Sequence, residues 1–150
     1  MNVGLIISFK TFKNEVLKTR FIKIFDKMTK VKVCLVCNSS CEQVYEDLND
    51  IALNFENINV VCTKTNKSSL LVKAGARFLT NQYNLKQLGF IVDLDDFEIL
   101  DTILAYQKYT HEIQALNKAQ KESNTLKHSF YQSLFSIPEY LDKIAQGSIC

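Results

Sequence analysis

The residues of this chain best placed to do chemistry are three carboxylates within four positions, Asp93-Leu94-Asp95-Asp96, at the end of the apolar stretch Leu88-Gly89-Phe90-Ile91-Val92. Two carboxylates at i and i+2, where a chain leaves a strand, can project to the same side. They offer the hard oxygen ligands that suit Mg²⁺ or Mn²⁺, ions that take one or two protein carboxylates and complete their shells with substrate phosphate oxygens. A second use competes with this one. A helix is expected from about Phe97, and Asp95 or Asp96 at its start would accept hydrogen bonds from free backbone N–H groups and face the positive end of the helix dipole. The motif taken alone favours the cap; its position at the end of a fourth strand favours the metal.

Five cysteines, with Cys34 and Cys37 spaced as C-x-x-C and Cys41 four residues on, raise a metal or redox reading. The apolar run around Cys34-Leu35-Val36-Cys37 reads as a strand, in which these two side chains point to opposite faces. A redox pair belongs at a helix start, and a zinc site needs a second ligand pair. The two histidines, His111 and His128, are far away in sequence. Buried free thiols are expected.

The elements that must position the carboxylates follow from the spacing of apolar residues. Residues 3–7, 31–37, 58–62 and 88–92 are short apolar runs of the kind that form strands buried on both faces. Between them, Leu17, Phe21, Ile24, Phe25 and Met28, then Val44, Leu48, Ile51, Ala52 and Phe55, recur at helical spacing. Ser40 with Gln43 forms a capping-box pattern for the second of these helices, and Ser68 or Ser69 is placed to cap a third that carries Leu71, Ala74, Gly75 and Phe78. Alternating strands and helices predict a doubly wound α/β core with a parallel sheet in the order 3-2-1-4, Asp93 emerging beside Ser8. Ligands of such sheets bind beyond the carboxyl ends of the strands, near the point where strand order reverses. From Phe97 the pattern is helical: one long helix through Leu116, a polar link at 118–125, and a stripe of Phe130, Leu134, Ile137, Leu141 and Ile144 that Pro138 interrupts and Gly147 ends.

Composition sets the outer bounds. One domain is expected across residues 1–150, an α/β core over 1–100 with a helical extension over 101–150, since domains run to roughly 100–200 residues. With 47% hydrophobic and 23% charged residues the chain has a globular composition, and a net charge of +2 spread over mixed signs does not suggest nucleic-acid binding. Its apolar runs are far shorter than the ~20 residues a membrane span needs, and the first residues do not resemble a secretory signal. No transmembrane segment and a cytoplasmic location are therefore expected.

The stretch Asn66-Lys67-Ser68-Ser69-Leu70-Leu71-Val72-Lys73-Ala74-Gly75-Ala76, followed after a helix by Leu88-Gly89-Phe90-Ile91-Val92-Asp93-Leu94-Asp95-Asp96, resembles the family-two glycosyltransferases. That family pairs an Asn and a Gly at a helix start and an Ala-Gly inside the helix with a hydrophobic strand ending in Asp-x-Asp-Asp. The likeness covers roughly residues 1–100, and its specific element is the Asp motif. It implies a Rossmann-like core of the GT-A type that binds a nucleoside diphosphate sugar through Mn²⁺ or Mg²⁺ and transfers the sugar to an acceptor. By that resemblance Asp95 binds the metal and Asp93 contacts ribose or metal. The loops around Ser8, Phe9, Thr11 and Phe12, and around Asn38 and Ser39, hold base and ribose, while Lys73 reaches the diphosphate.

The chain departs from the family in several places. Phe9 stands near an expected Pro, Asn38 replaces an acidic residue, Ser68 stands where Gly is usual, and the family's acceptor half, with its carboxylate base, has no counterpart in the 150 residues. The alternative is thus a truncated, inactive transferase-like module that acts by binding or interaction. The apolar C-terminal stripe is expected either to cover the exposed sheet face or to form a homo-oligomer contact. Other nucleotide-binding classes fit less well. Residues 8–14 contain no glycine for G-x-G-x-x-G, no G-x-x-x-x-G-K-[ST] occurs, and the acidic motif follows strand four rather than strand one.

Overall fold

The computed structural model describes residues 3–12, 15–123 and 134–147. Its strands are β1 (Val3–Phe9), β2 (Val31–Asn38), β3 (Ile58–Thr63), β4 (Gln87–Ile91) and β5 (Leu134–Ser136). The helices are α1 (Glu15–Asp26), α2 (Glu42–Ala52), α3 (Ser68–Gln82), α4 (Asp96–Lys108), α5 (Thr110–Ser123) and α6 (Ile137–Ala145). All strand pairs are parallel, in the order β3-β2-β1-β4-β5. The order expected for the first four strands is the one observed. Ile7 pairs with Ile91, so the chain leaving β4 emerges beside Ser8 at the carboxyl edge.

Alternation along the strands divides the core in two, as successive side chains face opposite sides of a sheet. Leu5, Ile7 and Phe9 of β1, with Val33, Leu35 and Cys37 of β2, face a large cluster built with α1, α2 and α4 and joined by Ile113, Ile137 and Tyr140. Ile6, Cys34 and Val36 face the other side, where Leu71, Val72, Ala76 and Leu79 of α3 cover them. Cys34 and Cys37 accordingly lie on opposite faces, as their spacing in a strand requires. Gly75 lets α3 sit close to the sheet. A Cβ there would stand 2.7 Å from Ile6 Cγ2 and 3.0 Å from Val36 Cγ2, distances that force a neighbour to move.

The helical reading of the C-terminal third holds only in part. α4 and α5 are separate helices that meet at Tyr109, and α5 continues through the region expected as a polar link up to Ser123. Leu134-Phe135-Ser136 is not helical but adds a fifth strand beside β4. Pro138 lies at the start of α6 rather than interrupting it, because a proline fits the first helical turn, where its missing N–H has no partner to lose. Gly147 ends α6 in the left-handed region, φ 71°. Ile137 and Tyr140 are buried and Leu141 and Ile144 pack against the same core, so the stripe covers the chain's own sheet and helices. Phe130, the first residue of the expected stripe, lies outside the described residues. Among the described residues no helix is long and apolar enough to cross a membrane.

Candidate functional site

The first four strands deliver polar residues to the carboxyl edge of the sheet. Strand order reverses there between β1 and β4, and Lys10 and Asp93, the residues that leave these two strands, face each other across the gap. Lys10 Nζ lies 3.2 Å from Asp93 Oδ1, with both side chains more than half exposed. The Ser68 hydroxyl, at the first position of α3, donates to the same oxygen. Together the Ser68 hydroxyl and the Lys10 ammonium hold the Asp93 carboxyl below the usual carboxylate range. Asp93 also has φ 61°, the only described non-glycine residue in the left-handed region. Such a backbone costs of order 1 kcal/mol or more, so surrounding contacts must hold it.

Asp95 has a different task. It is the N-cap of α4, its Oδ1 accepts the Glu98 N–H at 2.8 Å, and Glu98 Oε1 accepts the Asp95 N–H at 3.3 Å. This reciprocal capping box satisfies two backbone donors of the helix start. The contacts on both aspartates fall on Oδ1, which leaves each Oδ2 to a ligand. Asp96 is buried on α4 and belongs to the fold rather than to the edge.

A second polar group continues the edge toward β3. Asn38, the last residue of β2, donates from Nδ2 to Asn66 Oδ1. Its own Oδ1 accepts the Ser40 N–H at 2.9 Å and the Ser40 hydroxyl at 3.0 Å. The Ser39 N–H donates to the Thr63 carbonyl at 2.7 Å, and the Thr63 hydroxyl accepts the Thr65 N–H at 3.2 Å. The loop after β3 is thus tied to the loop after β2, and Asn66 stands two residues before Ser68. The two groups form one rim.

Of the residues expected at a nucleotide site, Asn38, Ser39, Asp93 and Asp95 lie on this edge. Ser8 is buried at 2% exposure. Phe9 is core: its ring packs 5.8 Å from Phe12 and 5.6 Å from Phe21, centroid to centroid. Thr11 is exposed. Lys73 projects from α3 beside a shallow cavity of about 430 Å³ that it lines with Ser68, Val72, Phe90, Val92 and Leu134. The serines expected as caps do not cap. Ser40 turns back onto Asn38, Ser68 turns to Asp93, and neither α2 nor α3 has a side-chain cap bond. Lys10, Asn66 and Ser68 complete the rim. Sequence spacing gave no reason to join Ser68 with Asp93, because the contact depends on where α3 crosses the sheet.

A divalent cation fits this donor set only in part. Among the described residues no three His, Cys, Asp or Glu side chains converge on one point. Asp93 and Asp95 supply two carboxylates, enough for an ion that also binds phosphate oxygens but short of a closed protein site. Lys10 already lends Asp93 a positive charge. No protein-family model matches the chain, and no curated protein or solved structure matches it either.

A larger cavity, about 500 Å³, opens at the opposite end of the sheet and is lined by Val3, Met28, Val31 and Tyr106 among others. Burial pushes the Tyr106 phenol up to about 12. Lys27, Lys30, Gln107 and Gln114 line it too, but it has no carboxylate, histidine or thiol among its lining residues, so the rim is the better candidate despite its shallower shape.

Proposed function

We propose that the chain is a glycosyltransferase-like domain that binds a nucleoside diphosphate sugar at the carboxyl edge of the sheet, across the gap between β1 and β4. The observation that carries this reading is Asp93. A strained backbone holds its carboxylate out between Lys10 and Ser68 at the strand-order reversal, where doubly wound sheets bind nucleotides. Asn38 and Ser39 border the place for ribose and base, and Lys73 can reach a phosphate from α3. Asp93 and Asp95 would hold Mg²⁺ or Mn²⁺ together with phosphate oxygens of the ligand, since an ion of this kind takes one or two protein carboxylates. When bound, that ion neutralises charge on the leaving diphosphate. Lys10 then exchanges its partner, from Asp93 to phosphate.

A second reading is a module that binds without transferring. It is favoured because the carboxylates of the edge are already engaged, Asp95 with Glu98 in the cap of α4 and Asp93 with Lys10 and Ser68.

Calorimetric titration with UDP- and GDP-sugars, in Mn²⁺ and in chelator, tests the site. Binding should require the metal. Asp95→Asn should abolish metal-dependent binding and keep the fold, since an amide can still cap α4. Failure of every nucleotide to bind, or an Asp95→Asn variant that binds as well as the parent, removes the metal site. Nucleotide binding without turnover of any sugar favours the second reading.

A further inference from the structure

Two thiols meet at the root of the rim. Cys37 and Cys62 are in-register partners on β2 and β3, and their sulfurs lie 3.3 Å apart with one S–H directed at the other sulfur. Neighbouring strands run about 4.8 Å apart. A disulfide spans Cα separations of about 4.4–6.8 Å, a range that includes the spacing of paired strands. The two thiols differ in access. Cys62 is exposed on the edge strand, whereas Cys37 is fully buried, and burial followed by the Cys62 contact pushes its thiol up to about 12. The outer sulfur is the one a solute can reach, and the inner sulfur can react only with what stands beside it.

We propose that Cys37 and Cys62 form an oxidation site, at which a hydroperoxide converts the pair to an intramolecular disulfide that clamps the carboxyl ends of β2 and β3. The Cys62 sulfur attacks the peroxide, forming an S–O bond and breaking O–O. This yields a sulfenic acid and an alcohol, or water from hydrogen peroxide, which takes the thiol proton. The Cys37 sulfur then attacks the Cys62 sulfur. The S–S bond forms, S–O breaks, and the departing hydroxide leaves as water with the Cys37 proton. Two electrons pass from the thiols to the peroxide. Contact between the sulfurs offsets the weak acidity of Cys37, as an oriented neighbour acts at a high effective concentration.

The position gives the bond a local effect. Cys37 precedes Asn38, and Cys62 precedes Thr63, so the disulfide would join the roots of both loops that build the Asn38–Asn66 side of the rim. Cys34, on the other face of β2 and buried, serves as an internal control. Cys41, half-exposed near the start of α2, is the competing thiol. The proposal does not depend on what the rim binds.

The full-length protein treated with hydrogen peroxide, then unfolded, alkylated and mapped without reduction, tests it. The expected result is a peptide pair joined through Cys37 and Cys62, the loss of two alkylatable thiols per chain, and recovery of both with dithiothreitol. Cys37→Ser should leave Cys62 as a sulfenic acid trapped by dimedone, and Cys41→Ser should form the same link as the parent. Full alkylation of Cys37 and Cys62 after peroxide, or a predominant link from Cys62 to Cys41 or to another chain, would overturn the assignment.

Discussion

At the amino end of the sheet Asn57 is buried, and its amide donates to the Met28 carbonyl at 2.9 Å and the Val31 carbonyl at 2.7 Å, closing the turn between α1 and β2. At the carboxyl end Asn38 is half-buried, and its amide donates to another side chain, Asn66, near the exposed Asp93 and Lys10. The residue type is the same and the two uses differ. Asn57, itself buried, bonds backbone carbonyls that fix the turn between α1 and β2, so its bonds serve the fold. Asn38 bonds groups that water or a ligand can satisfy instead, so its bonds can be exchanged. The cavities sharpen the contrast, because the larger one lies at the amino end and the polar rim at the carboxyl end. Volume and convergent chemistry do not coincide in this molecule.

The largest expected effect is at the amino end. Asn57→Ala removes a hydrogen bond from each of two turn carbonyls and should cost about 1–3 kcal/mol in urea unfolding while leaving nucleotide titrations unchanged. Altered binding in a folded Asn57→Ala protein would erase the contrast between the two ends. Next in size is the helix cap. Asp95→Ala should cost ~1 kcal/mol and Asp95→Asn only a few tenths, since the amide still accepts the Glu98 N–H. Equal losses in the two variants would mean that charge rather than capping stabilises this turn.

Asn38→Ala should shift stability by less than about 0.5 kcal/mol, in the range of surface changes, yet weaken nucleotide binding measurably. A loss as large as that of Asn57→Ala would show the rim to be structural. The smallest effect concerns pH. The Asp93 carboxyl is depressed in the folded state, so its contribution is present above the unfolded value of about 3.9 and fades as pH falls through the lower folded value. Exposure and solvent screening keep that contribution to ~0.5 kcal/mol or less. Parent and Asp93→Asn should therefore differ slightly in urea midpoint at neutral pH and converge in strong acid. A difference that grows on acidification would contradict the assignment.

Much of the fold was legible in the residues. The runs at 3–7, 31–37, 58–62 and 88–92 are apolar because strands of a parallel sheet with both faces covered need no polar side. Gly75 was legible only as a member of the third helix; its reason is steric, since α3 rests on Ile6 and Val36 where a Cβ would intrude. Leu134-Phe135-Ser136 was illegible as a strand. A three-residue strand shows too little alternation to compete with the helical spacing that runs through Leu134 and Ile137. The capping pattern of Ser40 and Gln43 misled because Asn38, two residues back, offers Ser40 a closer acceptor. In the site, Asp95 was legible as both cap and ligand, and the cap is realised. The contacts of Asp93 with Ser68 and of Cys37 with Cys62 were not legible, because each depends on how separate elements register in space.

The fifth strand bears on how the chain assembles. β1, β2 and β3 are joined in sequence by single helices, whereas Leu88 meets Leu134 only after α4 and α5 have intervened. Closing a longer loop delays a contact, so the β4–β5 ladder should form last and open first. Only three residues of β5 pair, at Leu88, Gly89 and Phe90. The C-terminal strand and α6, although packed on the main core, would then open as a cooperative unit of their own. Native-state hydrogen exchange reads this directly: amides of Phe135 and Ser136 should exchange far sooner than those of Ile6 and Leu35, and exchange at one common rate would make the five strands a single unit.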